Sequence, residues 1–393
     1  MAIIKKILIV SIIWRFFLFG IQFFSLRIPF RYSFPYVEAV LEKYQPPFLR
    51  PWANFDGVHY LTIAKSSYSA QYTQAFFPLY PLIIRGLGNL FFAKNYLVSG
   101  LFISGLFWIL SLWVLIRLVE IDFDQKIAWQ TAIFLLLFPT SFYFIGLYAE
   151  SLFLFLALAS FYFARKGKWW QAGFFGAFAS ATKVFGIFLL PALFVEYSLQ
   201  QGEKNIRKKK ARENGFRTWE LFKIFLKSYL PIGLSCSGLV AYMAYLKNEF
   251  NNPIYFITAQ PAFGASRSAS KIILIYQVFW RYFKMIWTVK KDDPLNFTVW
   301  LEFLSVVIFL ILLGRAYQNK VRLSYLIFSF FSLLVPTLTG TFSSMPRYVL
   351  VLFPGFVALA LVKNKLLIKI IYALEIVIGI ICALFFLRGY WVA

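Results

Sequence analysis

Long apolar runs alternate with short polar connections along most of the chain. A helix needs about twenty consecutive, mostly apolar residues to cross a membrane. By that rule the pattern predicts eleven spans, near residues 7–28, 97–119, 128–145, 149–164, 169–182, 184–199, 229–247, 298–314, 323–340, 347–362 and 366–387. The first run follows two lysines, as in a signal peptide, but lacks a small-residue cleavage pattern, so we expect a retained span. The pattern therefore predicts an all-α polytopic membrane protein with a single domain over residues 1–393.

Two segments between the predicted spans are long, at residues 29–96 and 248–297. Each contains a stretch that is too aromatic and too charged to cross a membrane comfortably, at 75–92 and 271–289. Such stretches are typical of amphipathic helices that lie in the membrane interface. We also expect the two short runs that flank residue 183 to be half-helices that meet at a buried cavity, where irregular backbone is tolerated at membrane depth.

Composition and charge support the membrane class and orient the chain. Of the residues, 61% are hydrophobic and 14% are charged, and the formal net charge is +24. The basic residues lie mostly between apolar runs, which fits anionic headgroups and the positive-inside rule better than nucleic acid, so no nucleic-acid partner is predicted. With the N-terminus inside, the most basic loop, 204–227, is inside and both long segments are outside. An acidic turn at Glu120, Asp122 and Asp124 is the exception on the inner side.

The first outer segment carries the protein's single histidine beside an acid, in the run Phe55, Asp56, Gly57, Val58, His59. A short helix is predicted from Val58 to residue 65. Burial among aromatic residues raises the pKa of a carboxyl group, which suits a general base. Asp56 is therefore a candidate catalytic base, with an N-cap of the short helix as the alternative. His59 is a catalytic candidate or an aromatic-like interface residue.

Glu150 and Lys183 are two further charged residues at the edges of predicted spans. An acid at that depth is by default a functional candidate, although the helix dipole alone also favours Glu150 at the start of a helix. A buried lysine is costly without a partner, so a carboxylate or a bound phosphate is expected to neutralise Lys183, unless its side chain extends to the interface.

Basic residues on the predicted outer side run against the positive-inside tendency. Arg347 begins the tenth predicted span, and the second outer segment carries Arg267, Lys271, Arg281 and Lys284. Arginine is well shaped to bind phosphate oxygens through two parallel hydrogen bonds. An anionic ligand on that face, such as a lipid-linked phosphate, explains these residues better than headgroups alone.

The chain carries no nucleotide-binding motif, neither a P-loop nor a Gly-rich dinucleotide turn. Asp122 and Asp124 form an Asp-x-Asp pair, but on the inner side, away from the other candidates. We therefore predict no metal site and no cofactor, and an activated substrate that is drawn from the membrane.

Four motifs in order resemble the PIG-V mannosyltransferases, of the GT-C group of glycosyltransferases. They are FDGVHY at 55–60, AFFPLYP at 75–81, YAESLF at 148–153, and PRY at 346–348 with FP at 353–354. Where the family usually has Trp before the first acid, Thr before Glu150 and Arg at 183, this chain has Phe55, Ala149 and Lys183. The resemblance implies a GT-C fold with a catalytic acid in the first outer loop.

The resemblance also implies partners and a mechanism. A polyprenyl-phosphate mannose serves as donor, and a glycolipid or glycan on the outer face serves as acceptor. Asp56 deprotonates the acceptor in one inverting displacement, while Glu150 and His59 orient the acceptor or Asp56. Arg347, with Lys183 or Arg267, holds the donor phosphate, so no metal is required.

The sequence leaves two alternative hypotheses about the function open. Eleven spans with intramembrane charges also suit a transporter or lipid flippase, and a related GT-C enzyme can use another lipid-phosphate sugar. Short loops favour a prokaryotic plasma membrane as the location, with the ER membrane as the eukaryotic equivalent.

Overall fold

The computed structural model describes residues 2–31, 36–208 and 225–392, and in these ranges every regular element is a helix. Five helical segments are long and apolar enough to cross a membrane: Ile3–Ser25, Tyr96–Val119, Val184–Gly202, Pro294–Gln318 and Lys365–Leu387. Leu226–Leu234 and Ser237–Phe250, bent by 46°, add a sixth if the pair is one span. The all-α, multi-pass architecture is confirmed, whereas the predicted count of eleven spans is not.

The α-helices are numbered along the described chain. The first nine are α1 (Ala2–Ser25), α2 (Tyr36–Leu41), α3 (Asp56–Ser66), α4 (Leu79–Phe91), α5 (Tyr96–Val119), α6 (Gln125–Leu137), α7 (Glu150–Arg165), α8 (Trp169–Thr182) and α9 (Leu189–Lys208). The others are α10 (Leu230–Leu234), α11 (Ser237–Phe250), α12 (Tyr255–Thr258), α13 (Ile275–Thr288), α14 (Pro294–Gln318), α15 (Leu323–Thr337), α16 (Met345–Tyr348), α17 (Phe353–Ala360) and α18 (Lys365–Leu387).

Short turns of other helix types connect several of these helices. They are the 3-10 turns Pro47–Ala53, Thr73–Ala75, Ser141–Phe144, Val184–Phe188, Gln260–Phe263 and Val349–Val351, and the π-helical turn Phe225–Tyr229. The predicted basic loop 204–227 lies largely outside the described residues.

Proline shortens two of the predicted spans. The run 128–145 forms only α6 and a 3-10 turn, because Phe138 precedes Pro139 and leaves the helical conformation, with ψ at 137°. The run 347–362 is divided into α16, a 3-10 turn and α17, which begins at Phe353 with Pro354 in its first turn. A count of apolar residues does not detect these interruptions. The predicted lengths of the spans 128–145 and 347–362 were therefore wrong.

Helix α8 packs closely against α10 and α11. Gly173 faces the backbone of Pro231, and Gly238 faces the backbone of Ala177, so that an added Cβ would lie 2.0 Å and 2.1 Å from the respective carbonyl oxygens. Only glycine lets the helices approach this closely. After Thr182 the chain is extended at Lys183, so the predicted break is present. The segment before it is short, whereas Val184–Gly202 is long enough to cross a membrane, so the prediction of two half-helices is wrong for the second.

Helices occupy both stretches that were predicted to be interfacial. Helix α13 exposes an aromatic stripe of Tyr276, Trp280, Phe283 and Trp287, and it buries Tyr282 on the opposite face. Helix α4 is likewise strongly amphipathic. Their position relative to a membrane remains a prediction.

The acidic turn between α5 and α6 is explained by local partners. Glu120 pairs with Arg117 at 3.0 Å, and Asp124 caps α6 by accepting the backbone N–H of Ile127 at 2.8 Å. Asp122 accepts two hydrogen bonds from Arg165, at 2.5 Å and 2.7 Å. The turn therefore neutralises basic residues at this end of the bundle.

Arg165 and Asp122 belong to a larger group, here called the Arg165 network, with Glu196 and Arg322. Arg322 donates to both carboxylate oxygens of Glu196 at 3.0 Å, and Arg165 lies 3.4 Å from that carboxylate. Ser324 and Gln200 donate further hydrogen bonds to Glu196, at 2.7 Å and 2.8 Å. The network ties α7, α9 and α15 together at one end.

Candidate active site

Asp56 is the first residue of α3, after a sharp turn at Phe55. Phe55 has φ of +60° and ψ of −115°, a strained combination for a residue with a side chain. Its ring packs against Trp391 and Phe386, with ring centroids 5.0 Å and 6.0 Å away. Phe55 occupies the N-cap position of α3, without a side-chain cap hydrogen bond, and Asp56 accepts a hydrogen bond from Nη1 of Arg347. The alternative prediction, that Asp56 serves as the helix N-cap, is wrong.

The loop that leads to Asp56 is anchored on both sides. Asn54 donates from its side-chain amide to the carbonyl of Phe386 at 2.9 Å, and its own carbonyl accepts from the Tyr148 hydroxyl at 2.6 Å. The backbone N–H of Leu147 donates to the carbonyl of Trp52 at 2.8 Å. These bonds fix the carboxylate relative to α7, because residues 147 and 148 immediately precede that helix.

Arg347 is buried where the chain turns into α16. Ser344, which precedes that helix, has a left-handed φ of +71°. The rings of Tyr148, Tyr348 and Tyr143 surround the guanidinium at 5.3–5.6 Å from their centroids. Aromatic faces stabilise a cation in such a position. The guanidinium is therefore held between aromatic rings and carboxylates.

Glu150 connects Arg347 to Lys183. The Lys183 ammonium donates to Oε1 of Glu150 at 2.6 Å, and Nε of Arg347 lies 3.4 Å from the same oxygen. A carboxylate thus neutralises Lys183, as one of the two predicted options required. Glu150 is 1% exposed, yet its second oxygen makes no hydrogen bond, and neither does Nε of Arg347. Asp56, Glu150, Lys183 and Arg347 form what we call the Asp56 cluster, and it is not fully hydrogen-bonded.

The pKa of Asp56 differs from the sequence-based expectation. Burial acts to raise the pKa of this carboxyl group, but the charge and hydrogen bond of Arg347 outweigh burial, so the pKa lies below its ordinary value. The expectation of a raised pKa was wrong because the sequence did not reveal the pairing with Arg347. Asp56 is ionised near neutral pH.

His59 lies on α3, one turn beyond Asp56. Its ring stacks on Phe76 with centroids 4.8 Å apart and meets the edge of Phe263 at 5.4 Å. Burial lowers the pKa of His59, with the nearby Asp56 acting in the opposite direction. The imidazole is neutral near pH 7 and makes aromatic contacts, and its role in the site stays a prediction.

A cavity of about 850 Å³ brings all six candidate residues together: Asp56, His59, Glu150, Lys183, Arg267 and Arg347 line it. Arg281 lines it as well. Asp122 and Asp124 do not, which agrees with their exclusion from the site. Among the described residues, no three His, Cys, Asp or Glu side chains are grouped to hold a metal ion.

Arg267 lies in the segment between α12 and α13, and its guanidinium donates to uncharged groups. Its Nη2 donates to Oγ of Ser344 at 3.1 Å and to the carbonyl of Ser343 at 3.5 Å. Arg281 donates to the carbonyl of Gly340 at 2.8 Å. Neither arginine pairs with a carboxylate in the described part of the chain. Both guanidinium groups line the cavity without forming an ion pair among the described residues.

Sequence reasoning missed one acid and its partner. Glu302 of α14 lines the same cavity, and one of its oxygens accepts a hydrogen bond from the Tyr282 hydroxyl. The signal was present, since Glu302 is the only acid in the predicted span 298–314, and an acid inside an apolar span is by default a functional candidate.

The fold and the cavity together define a class: an all-helical, multi-pass membrane protein with acids and arginines around a cavity. The family comparison is more specific. The chain belongs to the mannosyltransferase (PIG-V) family, whose sequence model matches residues 3–291. Arg347 and Glu302 lie beyond the matched residues.

A relative in the fruit fly supports the same assignment. GPI mannosyltransferase 2 of Drosophila melanogaster is 29% identical over 119 residues, which cover 28% of this chain and 26% of that protein. The chain thus matches about a quarter of that relative's length. Family membership favours a glycosyltransferase over the transporter alternative.

Proposed function

We propose that the protein transfers mannose from a polyprenyl-phosphate donor to a hydroxyl group of a glycolipid or glycan acceptor, with inversion at the anomeric carbon. The observation that carries this proposal is Asp56, held by Arg347 at the wall of a charged cavity in a chain of the mannosyltransferase (PIG-V) family. A glycolipid of the GPI-anchor type is the first acceptor to test, in view of the fly relative's name.

The charge of the cavity supports an anionic donor. Its lining contains four basic side chains, Lys183, Arg267, Arg281 and Arg347, and three acidic side chains, Asp56, Glu150 and Glu302. Basic side chains therefore outnumber acidic ones, with His59 neutral. A sugar linked to a lipid through a phosphodiester carries a negative charge, which suits such a lining.

Arg267 is the first contact that we assign to the donor phosphate. Its hydrogen bonds go to Ser343 and Ser344, which are uncharged, so a phosphate could bind without displacing a carboxylate. Lys183 and Arg347 are already bound to carboxylates, and they would reach the phosphate only by exchanging partners. Arginine's planar fork suits two phosphate oxygens at once.

Partner exchange at Arg347 gives Asp56 its role as a base. With Arg347 bound to it, Asp56 is ionised but weakly basic. A phosphate that draws Arg347 away removes the hydrogen bond that lowers the pKa of Asp56, and it adds a negative charge nearby, so the pKa rises. The carboxylate then becomes a better base when the donor is present.

The chemical step is a single displacement. The acceptor oxygen attacks the anomeric carbon of mannose while its proton passes to Asp56, and the bond between that carbon and the phosphate oxygen breaks. The electron pair leaves with the phosphate, whose charge Arg267 and Arg347 stabilise. Attack opposite to the leaving group inverts the configuration. Glu150 acts through Arg347, and His59 positions Asp56 from the next turn of α3.

Reconstitution tests this function. Purified protein in lipid vesicles is incubated with labelled polyprenyl-phosphate mannose and glycolipid acceptors, and the product is analysed for the anomeric configuration. We expect label to move to an acceptor with inversion. Transfer from a nucleotide sugar instead, or flux of lipid across the vesicle without transfer, would overturn the proposal.

A further inference from the structure

Glu302 differs from the other carboxylates of the cavity in forming no ion pair within the described part of the chain. Asp56 and Glu150 are both in ion pairs, whereas no Lys or Arg side chain of the described chain lies within ion-pairing distance of Glu302. The residue is 4% exposed and belongs to a membrane-spanning helix. Keeping a carboxylate at such a place is costly, so it points to a function.

The Tyr282 hydroxyl fixes the orientation of Glu302 without using all of its hydrogen-bonding capacity. It donates to one carboxylate oxygen, it accepts from the backbone N–H of Phe342 at 3.1 Å, and it lies 3.1 Å from Oγ1 of Thr341. Two carboxylate oxygens offer about four acceptor positions. Ser343 and Trp391 also interact with the carboxylate as hydrogen-bond partners, and Arg267 acts on it through its charge. With Tyr282, three of the four positions are used, and one remains for a ligand.

Glu302 and Asp56 line the same cavity. The charge of Arg267 acts on both carboxyl groups. The hydroxyl of Thr298, one turn before Glu302 on α14, donates to the carbonyl of Trp391 at 2.7 Å. The ring of Trp391 meets Phe55, the residue before Asp56, with centroids 5.0 Å apart. A sugar that binds in this cavity therefore has Asp56, Trp391 and Glu302 in its walls.

We infer that Glu302 is a sugar-binding residue, whose carboxylate accepts hydrogen bonds from ring hydroxyls of the donor's mannose or of the acceptor's sugar beside Trp391. This inference rests on the proposed function. A cavity with apolar and aromatic walls obtains its specificity from a few placed polar groups, and a carboxylate fixed by Tyr282 is such a group. The alternative is a structural role in which Glu302 only joins α14 to α13.

A series of deoxy sugars tests the inference on the wild-type protein. A site built to accept a hydroxyl discriminates strongly against a substrate that lacks it, because its own polar group is left unpaired. We expect one deoxy-mannose donor or one deoxy acceptor to lose about tenfold to a hundredfold in kcat/KM. The affected substrate tells which sugar Glu302 contacts.

The variant Glu302→Gln completes the test. It should raise KM for the same substrate by a similar factor, with a smaller change in kcat, and the deoxy analogue should show no further loss in this variant. Tyr282→Phe, which keeps the carboxylate but removes the link between helices, should raise KM less. Glu375→Gln is the matched control, since Glu375 is also a buried acid in a spanning helix but lies outside the cavity lining. It should leave both KM values unchanged.

Several outcomes overturn the inference. They are an unchanged KM for donor and acceptor in Glu302→Gln, an equal effect of Tyr282→Phe, or no sensitivity to any deoxy analogue in the wild-type protein. The last of these needs no variant, so the test survives a failure of Glu302→Gln to fold. A wild-type protein that transfers no mannose contradicts the proposed function instead, which separates the two failures.

Discussion

Two groups of buried charges lie near opposite ends of α7, and they differ in how completely they are satisfied. Glu150 begins the helix and Arg165 ends it, which places them about 22 Å apart at 1.5 Å per residue. In the Arg165 network, both oxygens of Glu196 accept hydrogen bonds from Arg322. In the Asp56 cluster, Oε2 of Glu150 and Nε of Arg347 have no hydrogen bond.

The difference in surroundings matches the difference in bonding. The cluster borders a cavity of about 850 Å³, whereas no member of the Arg165 network lines it. A closed set of ion pairs resists change because removing one partner leaves a buried charge behind. An incompletely bonded set beside a cavity can accept a ligand. The same kinds of residue therefore hold helices together at the Arg165 end of α7 and, in the proposed function, take part in catalysis at the Glu150 end.

The largest difference in rate is expected between variants of the two aspartates that accept hydrogen bonds from arginine. Asp56→Asn removes the proposed base and should lower the rate of mannose transfer about 10²- to 10⁴-fold. Asp122→Asn is the matched control, because Asp122 pairs with Arg165 as Asp56 pairs with Arg347. Since Asp122 lies outside the cavity, its variant should keep a rate per folded molecule within about twofold of the wild type. Steady-state rates of the two purified variants measure this. Rapid transfer by Asp56→Asn would remove Asp56 from the mechanism.

The two buried glutamates should separate stability from activity. Glu196→Gln leaves Arg165 and Arg322 without their shared counter-charge, and should lower the free energy of unfolding by about 3–5 kcal/mol with little change in the rate per folded molecule. Compared with Glu196→Gln, Glu150→Gln should lower the transfer rate more and the free energy of unfolding less. Denaturation in detergent and transfer assays on the same samples measure both quantities. Equal losses of transfer rate and of stability in the two variants would contradict this separation of roles.

A smaller effect is expected at Lys183. In Lys183→Met, Glu150 keeps Arg347 as its one ion-pair partner among the described residues. This draws Arg347 from Asp56, and the rate should fall about tenfold. Lys183→Arg keeps the positive charge and is the residue that the family resemblance leads one to expect at this position, so it should stay near the wild-type rate. Equal activity of the two variants would show that the charge at 183 is dispensable.

The sequence predicted the residues of the site better than their pairing. Motifs and charges at the edges of apolar runs led to Asp56, Glu150, Lys183, Arg267 and Arg347, and all of them line one cavity. The bond between Asp56 and Arg347 joins residues 291 positions apart. No local spacing encodes such a contact, and this is why the direction of the Asp56 pKa shift was wrong.

The prediction of the helices was also correct in some regions and wrong in others. Long apolar runs without proline, such as α5 and α18, were predicted with nearly correct ends. Run 347–362 was wrong because a hydropathy window averages over Pro354. Glu302 was missed for the same reason, since one acid hardly changes the mean hydropathy of an apolar helix. Single residues that break a pattern therefore carried much of the information about this site.

The smallest predicted effect concerns His59 and pH. Because burial lowers its pKa below 6.5 in the folded protein, the unfolded chain binds the proton more readily. Stability from this group is complete above pH 6.5 and is lost as the pH falls toward the folded-state pKa. The Asp56 contribution, from a lowered carboxyl pKa, is lost only below pH 3.8. His59→Phe preserves the contact with Phe76 and should reduce the fall in melting temperature between pH 7 and pH 5. A fall of the same size in the variant and the wild type would assign the pH dependence to other groups.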